Sequence, residues 1–266
     1  MDAVKKLMNK LNIFKSPELP EVTPQTAEHP ATAAVRRAIA DQKKDDPLIG
    51  VKIGAKEINH RIIEVLGKTD PKGVHVGSLL TILGSLAGYS CQMLARINLG
   101  VLAKENKVTD VDLVHVVGTG DEKKFFYGDS INKPLAEDKY SIWSMAAGAA
   151  QHNGCKELPD IHEIFKHVTS TIGSKQFGIP RVPDEQKAFD TPADIVLAFW
   201  PAMQPMLKEF CDKPAEWPIL FAAAIQEAID MSKNIIDPKI ALIVVMESAI
   251  PMSKIDLDAA LNINKT

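Results

Sequence analysis

The sequence predicts a mainly α-helical protein: a single helical domain with one inserted β-hairpin and a tethered N-terminal amphipathic helix. Three observations predict it. Apolar residues recur at three- and four-residue intervals along most of the chain. Capping residues and prolines stand in front of several of these runs. The β-prone residues concentrate in one stretch, near residues 111–128.

Residues 1–15 put Val4, Leu7, Met8, Leu11 and Phe14 on one helical face and Lys5, Lys6, Asn9 and Lys10 on the other. That is a short basic amphipathic helix. Residues 16–46 follow as a Pro-rich linker and a charged helix. Pro17, Pro20, Pro24 and Pro30, mixed with acids and threonines, favour extended backbone that buries little. Helical patterning resumes from Thr32 to Lys44. On such a tether the first helix either folds back onto its own body or reaches a partner groove or an anionic membrane surface. So short a helix has little apolar area, which makes a membrane surface the weakest of the three.

Residues 47–266 form the main domain. Asp46 before Pro47 is a helix-start signal, and Ile49 to Leu66 reads as a helix with Val51, Ile58, Ile62, Val65 and Leu66 inward. Gly67 and the turn cluster Thr69 to Gly73 end it. The next helix, Val74 to about Leu99, is the most apolar segment of the chain. Its stretch 76–94 has no formal charge, but Gly77, Ser78, Thr81, Gly84, Ser85, Gly88, Ser90 and Gln92 keep its hydropathy modest. A buried core helix fits better than a membrane span. Gly77, Gly84 and Gly88 give it a face without bulk. Glycine inside a helix costs roughly 0.5–1 kcal/mol relative to alanine, so several together predict close backbone approach, at the centre of the fold or in a dimer interface.

Val111, Leu113, Val114, Val116 and Val117, then Phe125-Phe126-Tyr127, flank the turn residues Gly118-Thr119-Gly120-Asp121, which predicts the hairpin. Helices of roughly 140–151, 160–172, 192–210, 215–233 and 238–250 complete the domain. Asp160 with Glu163 reads as a capping box, Thr191 with Asp194 as an analogous pair, and Asp237 as a cap before Pro238. Pro201 and Pro205 are expected to kink or split their helix. A longer loop is expected between Gln176 and Asp190, and the tail from Asn262 is expected to fray.

Composition narrows the function classes. Hydrophobic residues make up 45 % and charged residues 24 %, near globular averages. Lys plus Arg is 31 against 34 Asp plus Glu, and a net charge of −3 gives no reason to expect nucleic-acid binding. Cys91, Cys155 and Cys211 are an odd number without a CxxC pair, which predicts reduced thiols in a cytosolic setting. No secretory signal is expected, because no uninterrupted apolar region follows the N-terminal lysines.

Few patterns point to chemistry. His162 and His167 lie five apart, about 140° around an ideal helix, whereas a zinc-protease pair needs four. Nucleotide-binding glycine loops and the nucleophile elbow are missing. Asp129, after Gly128, stands where a carboxylate holds a metal or a hydroxyl, or forms an Asx turn that launches a helix. Glu247 closes the apolar run that begins at Ile240, in what reads as the last turn of its helix, against the macrodipole. Glu227 and Asp230 interrupt another apolar helix and share a face. Buried without cations, these acids could do acid–base work. The simpler expectation pairs them with Lys233, Lys239 or Lys254.

The sequence thus points to a cytosolic helical protein-interaction module that self-associates and presents its N-terminal helix to a partner protein. Its interaction residues would be Val4, Leu7, Met8, Leu11, Phe14, Gly77, Gly84 and Gly88. No cofactor, metal or nucleic acid is expected, and a membrane surface only weakly. One alternative is a cofactor-independent enzyme or small-ligand carrier with Glu227, Asp230 and Glu247 in a pocket between the last two helices. Another is a peripheral membrane protein.

Overall fold

The most apolar stretch of the chain lies at the centre of the molecule. A computed structural model describes residues 30–69, 73–112, 114–118 and 123–261. Among them, eight longer helices run in order: α1 (Pro30–Gln42), α2 (Ile49–Thr69), α3 (Val76–Lys104), α4 (Ile142–His152), α5 (Ile161–Ser170), α6 (Pro192–Phe210), α7 (Glu216–Ser232) and α8 (Pro238–Met252). Between α3 and α4, β1 (His115–Gly118) pairs antiparallel with β2 (Lys124–Tyr127). The fold is mainly α with one inserted hairpin, as the sequence predicts. The amphipathic segment 1–15, the linker to residue 29, the turn between the strands and the tail from Asn262 lie outside the described residues.

Every residue of α3 from Val76 to Ala95 is buried, so every face of it needs a neighbour. Helices α8, α7 and α6 supply them. This helix is long and apolar enough to cross a membrane, yet its apolar window is wholly enclosed by the rest of the fold. The small residues explain how. A Cβ on Gly84 would stand 2.6 Å from the Val245 carbonyl oxygen, and one on Gly88 would collide with the Ala249 carbonyl. The two backbones therefore touch directly, and α8 runs along the bare face of α3. The hydroxyls in this seam are satisfied within their own helices: Thr81 donates to the Gly77 carbonyl at 2.8 Å, Ser85 to Thr81 at 2.6 Å and Ser248 to Val244 at 2.7 Å.

On the opposite flank, Tyr89 of α3 meets Trp200 of α6 edge-on at 4.9 Å, and Trp200 meets Trp217 of α7 at 6.3 Å. These aromatic contacts lock three helices at one level. Capping fixes the helix starts. Thr191 accepts from the Asp194 amide at 3.3 Å, and Asp237 accepts from Lys239 and Ile240 at 2.8 and 3.3 Å. Asp160 caps α5 by accepting from the His162 amide at 2.8 Å, but Glu163 does not close a capping box; it faces Arg181 at 3.7 Å.

Three further sequence expectations about the elements need correction. First, Pro201 and Pro205 do not split α6, which runs through both of them. The prolines are four apart and both exposed, so the carbonyls left without donors fall on the solvent-facing side of the helix, where their loss costs least. Second, Val111 is not in a strand. Asp110–Asp112 forms a 3-10 turn, because Asp112 accepts from both the amide and the hydroxyl of Thr109 at 3.0 and 2.6 Å. Third, α8 continues to Met252, so Glu247 lies inside the helix and not in its last turn.

Candidate functional site

The structure separates the three C-terminal acids. Glu227 accepts from Asn59 of α2 at 3.1 Å, and Asp230 accepts from Asn153, just after α4, at 2.6 Å. Glu247 is 2 % exposed and clamps the loop between α5 and α6. It accepts from the Arg181 backbone amide at 2.6 Å, from Nε at 2.8 Å and from Nη2 at 2.7 Å. The lysine pairing expected from sequence is replaced: among the described residues none of these acids bridges Lys233, Lys239 or Lys254. They serve three neighbours on three different elements, and α7 and α8 barely touch because α3 lies between them. The three carboxylates therefore share no hydrogen-bond partner.

The glycine face is also spent inside the molecule. Gly84 and Gly88 meet α8, and a Cβ on Gly77 would collide with the Gln186 carbonyl of the loop before α6. As a dimer interface these glycines are unavailable; they hold the centre of the fold. His75 anchors the same loop. Its Nδ1 accepts from the Ser78 amide at 3.1 Å, and its Nε2 donates to the Glu185 carbonyl at 2.7 Å. Asp129 is exposed in the short helix Asp129–Asn132. Val4, Leu7, Met8, Leu11 and Phe14 lie outside the described residues. No group of His, Cys, Asp and Glu suited to a metal ion occurs among the described residues.

Two other features carry functional geometry. The first is the hairpin edge. The far side of β2 is already paired: the Phe126 amide donates to the Lys254 carbonyl at 2.6 Å, and the Asp256 amide to the Lys124 carbonyl at 2.8 Å. In an antiparallel pair, residues directly opposite either exchange both hydrogen bonds or turn both groups away. Phe126 turns away from β1, so its partner Val116 turns away from β2, and so does Gly118, opposite Lys124. The amides and carbonyls of Val116 and Gly118 therefore point to the outer side of β1, where no strand among the described residues pairs with them. Val116 and Val117 are 55 % and 51 % exposed there. Arg96 of α3 fixes the hairpin to the body. Its guanidinium sits 4.7 Å over the Phe126 ring while it pairs with Asp258.

The second is a cleft of about 540 Å³ between the end of α3, the segment after β2 and the start of α7. Its wall is a π-helical turn, Lys133–Glu137, with the Asp138 amide reaching the Lys133 carbonyl at 2.9 Å. Pro134 is the cause. Without an N–H it cannot serve the Ser130 carbonyl, and the wider turn follows. Ser130 is among the residues around the cleft, and its hydroxyl is buried without a hydrogen-bond partner among the described residues. Behind it, Asn132 accepts from Lys254 Nζ at 2.7 Å. Lys254 is 5 % exposed, and burial pushes its ammonium down to about 8.

Sequence reading gave no site role to Val116, Ser130 or Arg181, and took Lys254 only as a partner for the C-terminal acids. Only the spacing of Ser130 and Pro134 was a usable signal, since it marks a carbonyl deprived of its helical donor. No family model, curated protein or solved structure matches the chain.

Proposed function

We propose that this chain is a cytosolic helical protein-interaction module that self-associates, and that the contact between copies is the open edge of β1. The observation that carries the reading is the outward direction of the Val116 and Gly118 backbone groups beside two half-exposed valines. An open edge is a template for another strand. A second copy fits it by symmetry. With a two-fold axis at Val117, Val116 lies opposite the second copy's Gly118, and each such pair exchanges two hydrogen bonds. The two copies of Val117 then meet at the closer, non-hydrogen-bonded spacing.

Four hydrogen bonds at about 0.5–1.5 kcal/mol net each, against the entropy of association, support a weak, concentration-dependent dimer. Three buried free cysteines support a reducing compartment. The basic segment 1–15 remains a face for a separate partner protein.

Sedimentation velocity across a wide concentration range tests the reading. The full chain should associate reversibly, as should a chain lacking residues 1–30. Val116→Pro removes one outward amide without touching the β1–β2 ladder, and it should sediment as a monomer with unchanged helicity. If Val116→Pro associates like the parent chain, the edge is not the interface. If the parent chain is monomeric throughout, self-association fails outright.

A further inference from the structure

The loop between α5 and α6 leaves an apolar groove uncovered, and the course of α1 bears on what fills it. Ile179, Pro180, Val182, Phe189 and Pro192 wall a groove of about 240 Å³ at the start of α6, and the buried Thr81 of α3 also lines it. Ile179 and Phe189 are 43 % and 47 % exposed there. The volume falls below the roughly 300–1,000 Å³ of ordinary small-molecule pockets, so an inserted side chain suits it better than a free ligand. Acids are in surplus around it. Asp190 and Asp194 stand on the groove, and Asp184 and Glu185 are exposed in the same loop. Lys187 is already bridged to Asp184 at 2.6 Å, and Arg181 to Glu247 at 2.7 Å. A basic and apolar occupant fits this surface.

The start of α1 is aimed at the groove. Lys43, past the end of α1, bridges Asp212, past the end of α6, at 2.6 Å. Ile39 and Phe210 meet at Gly50, and Arg36 shares a cleft with Gln204 and Lys208. The two helices are therefore antiparallel, and the Pro30 end of α1 points toward the start of α6. At about 1.5 Å per residue, Gln204 to Thr191 is about 20 Å along α6, and Arg36 to Pro30 retraces about 9 Å of it. Residues 16–29 reach about 20 Å as a flexible chain, which brings residues 1–15 within range. The nearer cleft carries Arg36 and Lys208, which repel a basic segment.

We infer that this groove holds the apolar face of the chain's own residues 1–15, folded back on the tether of residues 16–29. Leu7, Leu11 and Phe14 recur at helical spacing and supply the inserted side chains, while Lys6, Lys10 and Lys15 face the acids of the loop. So short a tether gives an effective concentration in the millimolar range, and a groove of modest intrinsic affinity stays filled. The β1 edge takes no part, and a partner protein that binds residues 1–15 has to displace the groove.

Zero-length carbodiimide cross-linking of the full chain, with peptide mass spectrometry on the monomer band, tests the assignment. Lysines of residues 1–15 should couple to Glu185, Asp190 or Asp194 with a yield that does not change on dilution. Ile179→Ser with Phe189→Ser strips the groove at exposed positions without altering charge. It should lose these cross-links and speed tryptic cleavage at Lys15 at least about tenfold, with helicity unchanged. Leu11→Ser with Phe14→Ser, which changes nothing in the described body, should lose the same cross-links. Cross-links that appear only as concentration rises would seat a second copy's segment in the groove and overturn the inference. So would coupling of these lysines only elsewhere, or cleavage at Lys15 that the groove substitutions leave unchanged. Val116→Pro should keep the cross-links, so failure here and failure of the β1 contact are read separately.

Discussion

Replacing Lys254 with methionine should abolish a rise in stability on the alkaline side of neutrality. The ammonium lies in a buried seam. Asn132 Oδ1 is its hydrogen-bond acceptor at 2.7 Å, the Tyr127 ring lies 5.6 Å away, and Cys91 and Glu137 are its charged or titrating neighbours. Among the described residues no carboxylate reaches it within bridging distance, so burial dominates and its pKa falls from 10.5 to about 8. Below pH 8 the folded and unfolded chains both carry the proton, and the burial penalty is full and constant. Between pH 8 and 10.5 the folded chain has released a proton that the unfolded chain still holds, so stability rises with pH. The rise integrates to roughly 3 kcal/mol.

Methionine is close to lysine in length and carries no charge. At pH 7 it regains that penalty, but it leaves Asn132 Oδ1 without a donor, at about 1–3 kcal/mol, and removes the contact with Tyr127. The net change at pH 7 is therefore small, and the slope is the better readout. Urea unfolding of both chains at several values between pH 7 and 10 provides it. The difference between the two curves cancels the opposing alkaline titration of Tyr127 and Cys91, whose ionisation is suppressed by burial. That difference should move by about 2–3 kcal/mol in favour of the parent chain as pH rises. Parallel curves would refute the reasoning.

Three further outcomes are expected. Gly88→Ala should cost at least about 3 kcal/mol in chemical denaturation, since its methyl group meets the α8 backbone and not a flexible side chain. Arg181→Ala leaves Glu247 buried without its cation; it should cost about 2–4 kcal/mol and expose residues 176–190 to limited proteolysis, while Arg181→Leu with Glu247→Leu should cost less than the single change. Burial pushes the Cys211 thiol up to about 12 and that of Cys91 higher still, so a colourimetric thiol reagent should leave both unmodified in the folded chain and label them in denaturant.

The fold was legible where the signals are local. Asp237 before Pro238, and Thr191 with Asp194, mark helix starts that the structure contains, and Gly84 and Gly88 announce a close backbone approach before any neighbour is known. What the glycines approach is a long-range property, and a bare helix face reads alike whether its neighbour is α8 or another chain. The partners of Glu227, Asp230 and Glu247 were hidden for the same reason. Asn59 lies 168 residues from Glu227, and Arg181 lies 66 from Glu247, beyond the reach of any periodic pattern. The open edge of β1 was less legible still, because it follows from the pairing of Phe126 with Lys254, and nothing in the string His115-Val116-Val117-Gly118 says which strand side is left open.

Amide hydrogen exchange at single-residue resolution, followed as protein concentration rises, goes to the centre of the account. The Val117 amide, turned toward β2, should be protected at every concentration, whereas the Val116 and Gly118 amides should exchange freely in dilute solution and slow as copies associate. Fast exchange at Val116 and Gly118 that ignores concentration, in a chain that nonetheless associates, would show that β1 is not where the copies meet.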